Sequence, residues 1–131
     1  MSKRQVFISH SRRDANLAEQ VVAELERLGL QVSSDAEVRQ GEKRRKVVQD
    51  AIKRSDALVM LIASPHEVSS SWMGYEAGVA EALGKRTMLL VPSKYPLAEL
   101  PEDVAVGQVV DFDPQAPERA AQDIAKRLAA A

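Results

Sequence analysis

Ala57-Leu58-Val59-Met60-Leu61-Ile62-Ala63 is apolar from end to end. A strand with one wet face alternates apolar and polar residues. A run with no polar position suits a strand covered on both faces, and that occurs where helices pack on both sides of a parallel sheet. The neighbours of this run agree. Before it, Val47, Val48, Ala51 and Ile52 share one face of a helix, and after it Ser64-Pro65 ends the strand.

Further out, the same alternation of strand and helix continues. Val6-Phe7-Ile8-Ser9 predicts a first strand. Leu17, Val21, Val22, Leu25 and Leu28 then predict a helix stopped by Gly29, and Leu30-Gln31-Val32-Ser33 a second strand. A loop runs from Asp35 to Gly41. Downstream, Ser69 to Ser71 offer a cap for a helix beginning near Trp72, and Thr87-Met88-Leu89-Leu90-Val91 is a fourth strand. Pro92, Pro96 and Pro101 mark a long loop before a short strand at Gln108-Val109-Val110-Asp111. Pro117 opens a last helix with Ala121, Ile124, Ala125 and Leu128 turned inward.

Five strands in this arrangement predict an α/β fold: a flavodoxin-like, doubly wound, five-stranded parallel sheet of order 2-1-3-4-5 with helices on both faces. In that order ligands bind beyond the strand C-termini, between the first and third strands. The walls of that crevice are then Ser9-His10-Ser11-Arg12 and Ala63-Ser64-Pro65-His66.

The chain has 131 residues, enough for one domain with a full core and too few for two ordinary ones. It is read as a single domain, standing alone or as the N-terminal module of a longer protein. Eighteen basic against nineteen acidic residues give a net charge of −1, which argues against a nucleic-acid or membrane-surface partner. There is no cysteine, so disulfides, thiolate nucleophiles and Cys-ligated zinc are excluded. No segment has the length of a signal-peptide core or a membrane span, and a cytoplasmic location is the default expectation.

Against this background Glu76 is an exception. Trp72, Val79, Ala80 and Leu83 fall at helical spacing on one face, and Glu76 falls on that face too. Carboxylates are rarely buried unless paired. Glu76 is therefore either neutralised by a partner, with Arg12 or Arg13 as candidates, or it lines a pocket at the crevice. Arg39 to Lys46 holds five basic residues, read as a solvated helix face or as an anion site.

Four segments, in order, resemble a Toll/interleukin receptor homology (TIR) domain: Val6-Phe7-Ile8-Ser9-His10-Ser11, Asp35 through Gly41-Glu42, Ala51-Ile52-Lys53-Arg54-Ser55-Asp56, and Ser71-Trp72-Met73-Gly74-Tyr75-Glu76. The resemblance spans essentially the whole chain, and Gly74, Glu76-Ala77-Gly78 and Gly84-Lys85 look more like bacterial members. It implies an NAD+ nucleosidase that cleaves the nicotinamide–ribose bond. The products would be nicotinamide and ADP-ribose or a cyclic ADP-ribose isomer. The setting it implies is bacterial anti-phage signalling, with activation by self-assembly with other TIR protomers under a fused or separate sensor domain.

The resemblance maps the essential carboxylate onto Glu76, in the Trp-x-x-x-Glu spacing. Trp72 then lines the nicotinamide side, a role compatible with a place in the core. His10, Ser11 and Arg12 are candidate substrate contacts, Arg12 toward the pyrophosphate. His10 is read as a pocket wall or a satisfied hydrogen-bonder, and Asp35 as a ligand of a ribose hydroxyl. No metal or separate cofactor is expected, NAD+ being the substrate.

The chemistry suits a single carboxylate. Ordinary glycosidases need two, one of them an acid for a poor leaving group. Nicotinamide leaves NAD+ as a neutral molecule and needs no acid, so one carboxylate facing the oxocarbenium-like C1′ can suffice. Covalent attack and purely electrostatic stabilisation by Glu76 are both compatible with this. Two rival readings stand beside it: a non-catalytic TIR adapter that associates through the Asp35–Gly41 loop, and nucleoside deoxyribosyl transfer on a similar sheet.

Overall fold

A computed structural model describes residues 4–35, 38, 41–63, 71–93, 95, 98, 100 and 107–130. The elements in chain order are β1 (Gln5–His10), α1 (Ala15–Arg27), β2 (Gln31–Ser33), α2 (Arg44–Arg54), β3 (Ala57–Leu61), α3 (Ser71–Ala82), β4 (Arg86–Val91), β5 (Gln108–Asp111) and α4 (Pro117–Ala129). A 3-10 turn at Arg12–Asp14 joins β1 to α1.

The sheet has the order β2-β1-β3-β4-β5, with every pairing parallel. The expected doubly wound topology is the observed one. Register places Ser9 beside Met60 across β1 and β3, and Val59 beside Met88 across β3 and β4. All five residues of β3 are buried, as its uninterrupted apolar run requires. The regular strand closes at Leu61, two residues short of the apolar run, although the Ile62 amide still donates to the Leu90 carbonyl at 2.9 Å.

Alternation along the strands divides the core in two. Val6, Ile8, Val59, Leu61, Met88 and Leu90 pack beneath α1 and α4, against Val21, Leu25, Ile124 and Leu128. Phe7, Leu58, Met60, Ile62 and Leu89 face α2 and α3, meeting Val48, Ile52, Met73 and Ala77. Helix α1 ends as its sequence predicts. The Gly29 amide bonds Glu26 O and the Leu30 amide bonds Leu25 O, a double closure in which Gly29 takes φ +89°.

Helix α3 differs from the sequence expectation in the face it buries. Met73, Glu76, Ala77 and Ala80 are buried, whereas Trp72 and Val79 are only half-buried and Leu83 is exposed beyond the helix end. The inward stripe is rotated by about one residue because small Gly74, Ala77 and Ala80 let the helix sit close to the sheet. Glu76 remains on the buried side. Among the described residues, no helix is long and apolar enough to cross a membrane.

Candidate active site

Strand β1 delivers two consecutive polar residues, Ser9 and His10, at its C-terminal end, and alternation sends them to opposite faces of the sheet. Ser9 faces α3. Its hydroxyl donates to Glu76 Oε1 at 2.6 Å, and both residues are 98% or more buried, at 2% exposure each. Glu76 Oε2 is also buried and makes no hydrogen bond to the described residues. A buried carboxylate with one oxygen held and the other without a partner among the described residues is an exception that calls for an explanation.

Among the described residues Glu76 forms no ion pair, with Arg12, Arg13 or any other cation. Burial dominates its titration and pushes the carboxyl from 4.5 to about 7. The Ser9 hydrogen bond opposes that rise, nearby Asp35 adds to it, and Arg44 and the Trp72 indole N–H oppose it more weakly.

Trp72, one turn before Glu76, is built into a stack. Its ring lies 4.9 Å from that of Tyr75, at 25°, and the Arg44 guanidinium sits 3.9 Å from the indole centroid. Arg44 also pairs with Asp35 Oδ2 at 2.6 Å. Tyr75 in turn accepts a hydrogen bond from Gln49 Nε2 at 2.7 Å, and Arg45 lies 5.2 Å from its ring. Two of the basic residues in the stretch after Gly41 are thus exposed, as a solvated helix face would be, yet are laid over aromatic rings.

The structure therefore brings Glu76, Trp72 and Asp35 into one neighbourhood, with Ser9 and Arg44 between them. His10 lies on the other side of the sheet. It lines a groove of about 330 Å³ with Ile8, Ala15, Ala18, Glu19 and Val22, and its Nδ1 is 2.7 Å from Ser11 O. Ser11 is half-buried in the turn after β1, with no hydrogen-bond partner for its hydroxyl among the described residues, and Arg12 is exposed beside it. The second crevice wall, Ser64-Pro65-His66, the proposed cap residues 69–70, and Arg39 lie outside the described residues.

Asp14 holds the near wall in place. It is buried, and its Oδ2 accepts the Ala63 amide at 3.1 Å, tying the turn after β1 to the end of β3. Sequence reasoning passed over both Ser9 and Arg44 as site residues. Ser9 carries a usable signal, since a polar residue two positions after inward-facing Phe7 must point at α2 and α3. No cluster of metal-ligating side chains forms among the described residues.

A family model described as TIR domain matches residues 6–129. No curated protein matches the chain in sequence. Among solved structures, the chain is similar to the Clostridium botulinum CMP N-glycosidase BcmB, with a TM-score of 0.63, 22% identity, and coverage of 94% of this chain and 99% of that one. It is similar to the TIR domains of the activated Roq1 resistosome that recognises the pathogen effector XopQ, at TM-score 0.70 and 15% identity, covering 96% and 99%. A metazoan TIR-STING receptor from C. gigas gives TM-score 0.67 and 20% identity, covering 91% of this chain and 39% of the receptor. At these identities the likeness is one of fold.

Proposed function

This chain belongs to the TIR domain family, and on that premise we propose that it is an NAD+ nucleosidase with Glu76 as its essential carboxylate. The observation that carries the reading is the state of Glu76: buried, held through one oxygen by Ser9, without a hydrogen bond at the other among the described residues, and one turn from an indole that already carries a cation.

In the proposed reaction the bond between C1′ of the ribose and the ring nitrogen of nicotinamide breaks. Both bonding electrons go to the ring, which leaves neutral. Positive charge grows at C1′, and the Glu76 carboxylate stabilises it in a site from which water is largely excluded. Water then adds at C1′ and loses a proton, giving ADP-ribose; addition of a base nitrogen of the same molecule instead gives a cyclic isomer. Asp35 binds a ribose hydroxyl, while Ser11 and Arg12 contact the pyrophosphate side.

The likeness to an enzyme described as a CMP N-glycosidase supports nucleotide N-glycosidic chemistry on this fold. The cation over Trp72 favours a pyridinium ring over neutral cytosine, because the same aromatic face attracts either cation. The Roq1 TIR domains act within an activated resistosome, which supports assembly as the activating step, with anti-phage signalling in a bacterial cytoplasm as the setting.

The test is chromatography of NAD+ after incubation with protein held at high local concentration, alongside Glu76→Gln. Nicotinamide release by the native chain and none by a folded Glu76→Gln chain is the expected result. Unchanged turnover in Glu76→Gln overturns the assignment. Failure to consume NAD+ at any state of assembly returns the chain to the scaffold reading.

A further inference from the structure

An indole face attracts both rings and cations, and Trp72 already carries one of each. Tyr75 stacks at 4.9 Å and the Arg44 guanidinium lies at 3.9 Å. Tyr75 is fixed one turn along the same helix and tied by Gln49. Arg44, half-exposed in the first turn of α2, is the described partner of the indole that an incoming ring could displace.

The position of Arg44 is not explained by its own helix. It stands in the first turn of α2, followed by Arg45 and Lys46, with no acidic residue in that turn. The positive end of a helix dipole disfavours cations there. What holds the guanidinium is the Trp72 face together with Asp35, 2.6 Å away. A guanidinium is planar, delocalised and singly charged, which is also a description of the pyridinium ring of NAD+.

We infer that Arg44 is a built-in competitor for the nicotinamide subsite: it occupies the Trp72 face in the empty site, is displaced by the cationic ring of the substrate, and returns when that ring leaves neutral. The inference rests on the NAD+ reading for the identity of the ring. Displacement is inexpensive, since half of the Arg44 side chain is already exposed, at 52%, and the residue sits at a helix end. Swinging it out frees the Asp35 carboxylate at the same moment, so the aromatic platform and a ribose acceptor become available together. Neutral nicotinamide has no such hold on the indole, and Arg44 recaptures the face after cleavage, which disfavours product rebinding.

Trp72 is the single tryptophan of the chain, so its fluorescence reads the subsite without turnover. The probes are 1-methylnicotinamide, a cation, and nicotinamide, its neutral counterpart, titrated against the native chain, Arg44→Ala and Arg45→Ala. Arg44→Ala is expected to bind 1-methylnicotinamide about three- to tenfold more tightly, and Arg45→Ala to stay within about twofold of native. In the cleavage assay Arg44→Ala becomes more sensitive to inhibition by nicotinamide. Unchanged or weaker binding of 1-methylnicotinamide by Arg44→Ala overturns the inference, as does an equal gain in Arg45→Ala, which would mean mere loss of positive charge. Absence of quenching in every chain overturns it as well. Tightened probe binding without any NAD+ cleavage keeps the competitor and removes the NAD+ reading; cleavage with unaltered probe binding does the reverse.

Discussion

Ser9 Oγ donates to Glu76 Oε1 across 2.6 Å, joining the end of β1 to the middle of α3 through a bond with both partners buried. Among the described residues this is the hydrogen bond that does most to favour the ionised form of the carboxylate against burial. Removing it in Ser9→Ala leaves desolvation less opposed, so the Glu76 pKa climbs above its value of about 7. A hydrogen bond to a charged group contributes about 1.5–3 kcal/mol, equivalent to about one to two pH units. The acid limb of the pH profile for nicotinamide release should move upward by that amount. A uniform loss of rate with an unmoved profile would show that Ser9 does not tune Glu76.

A second prediction concerns stability. The folded pKa of Glu76, about 7, lies above its ordinary value of 4.5. Between these two values the folded chain binds more protons than the unfolded one, so stability falls as pH rises through this window and stays lower above it. The full effect is about 3 kcal/mol. Glu76→Gln keeps the shape and cannot ionise. Its stability relative to the native chain should therefore be greatest at about pH 8 and vanish near about pH 4, as read by urea unfolding at both. An equal difference at the two pH values would assign the titration to another group. A chain stabilised and silenced by one substitution fits a carboxylate kept for function at a cost to folding.

Much of this architecture is written locally in the chain. The unbroken apolar run at 57–63 announces a two-faced strand, Pro117 stands at the first position of α4, and Gly29 closes α1. Glu76 was visible because it violates the pattern around it. Arg44 was not, because five basic residues between 39 and 46 look like a solvated face, and the partner that orders Arg44 is an indole 28 positions later. His10 shows the opposite limit. It stands next to Ser9 in the crevice wall, but strict alternation turns its side chain toward α1, away from Glu76. Sequence adjacency locates the wall; only the pleat decides which residue faces the site.

Asp14 supports a third prediction. Its buried carboxylate takes the Ala63 amide at 3.1 Å, so one side chain couples the turn after β1 to the end of β3. Asp14→Ala leaves that amide without this acceptor, at a cost of about 1–3 kcal/mol. Asp14→Asn retains a carbonyl oxygen and should lose less. Hydrogen exchange at the Ala63 amide distinguishes a local effect from a global one: faster exchange in Asp14→Ala than its overall destabilisation accounts for is the expected result. Exchange that tracks global unfolding alone would remove Asp14 as the tie.

The fourth prediction separates two costs at glycine. Gly107 enters β5 with φ +106°, and a Cβ there would lie 2.4 Å from the Thr87 carbonyl oxygen and 2.8 Å from Thr87 Cβ. Thr87 belongs to β4, the strand that pairs with β5, so neither contact can be relieved by turning a flexible side chain. Gly29 has φ +89° but nothing within 4 Å of the same position. Gly29→Ala then carries only the conformational cost of a left-handed backbone, about 1 kcal/mol. Gly107→Ala carries that cost plus displacement of β5 from β4, at least about 3 kcal/mol in total, or a melting temperature lower by about 10 °C or more. Thermal unfolding of the two variants side by side is the measurement. Equal losses would mean that the β4–β5 edge yields freely, and that its register is set elsewhere than at Gly107.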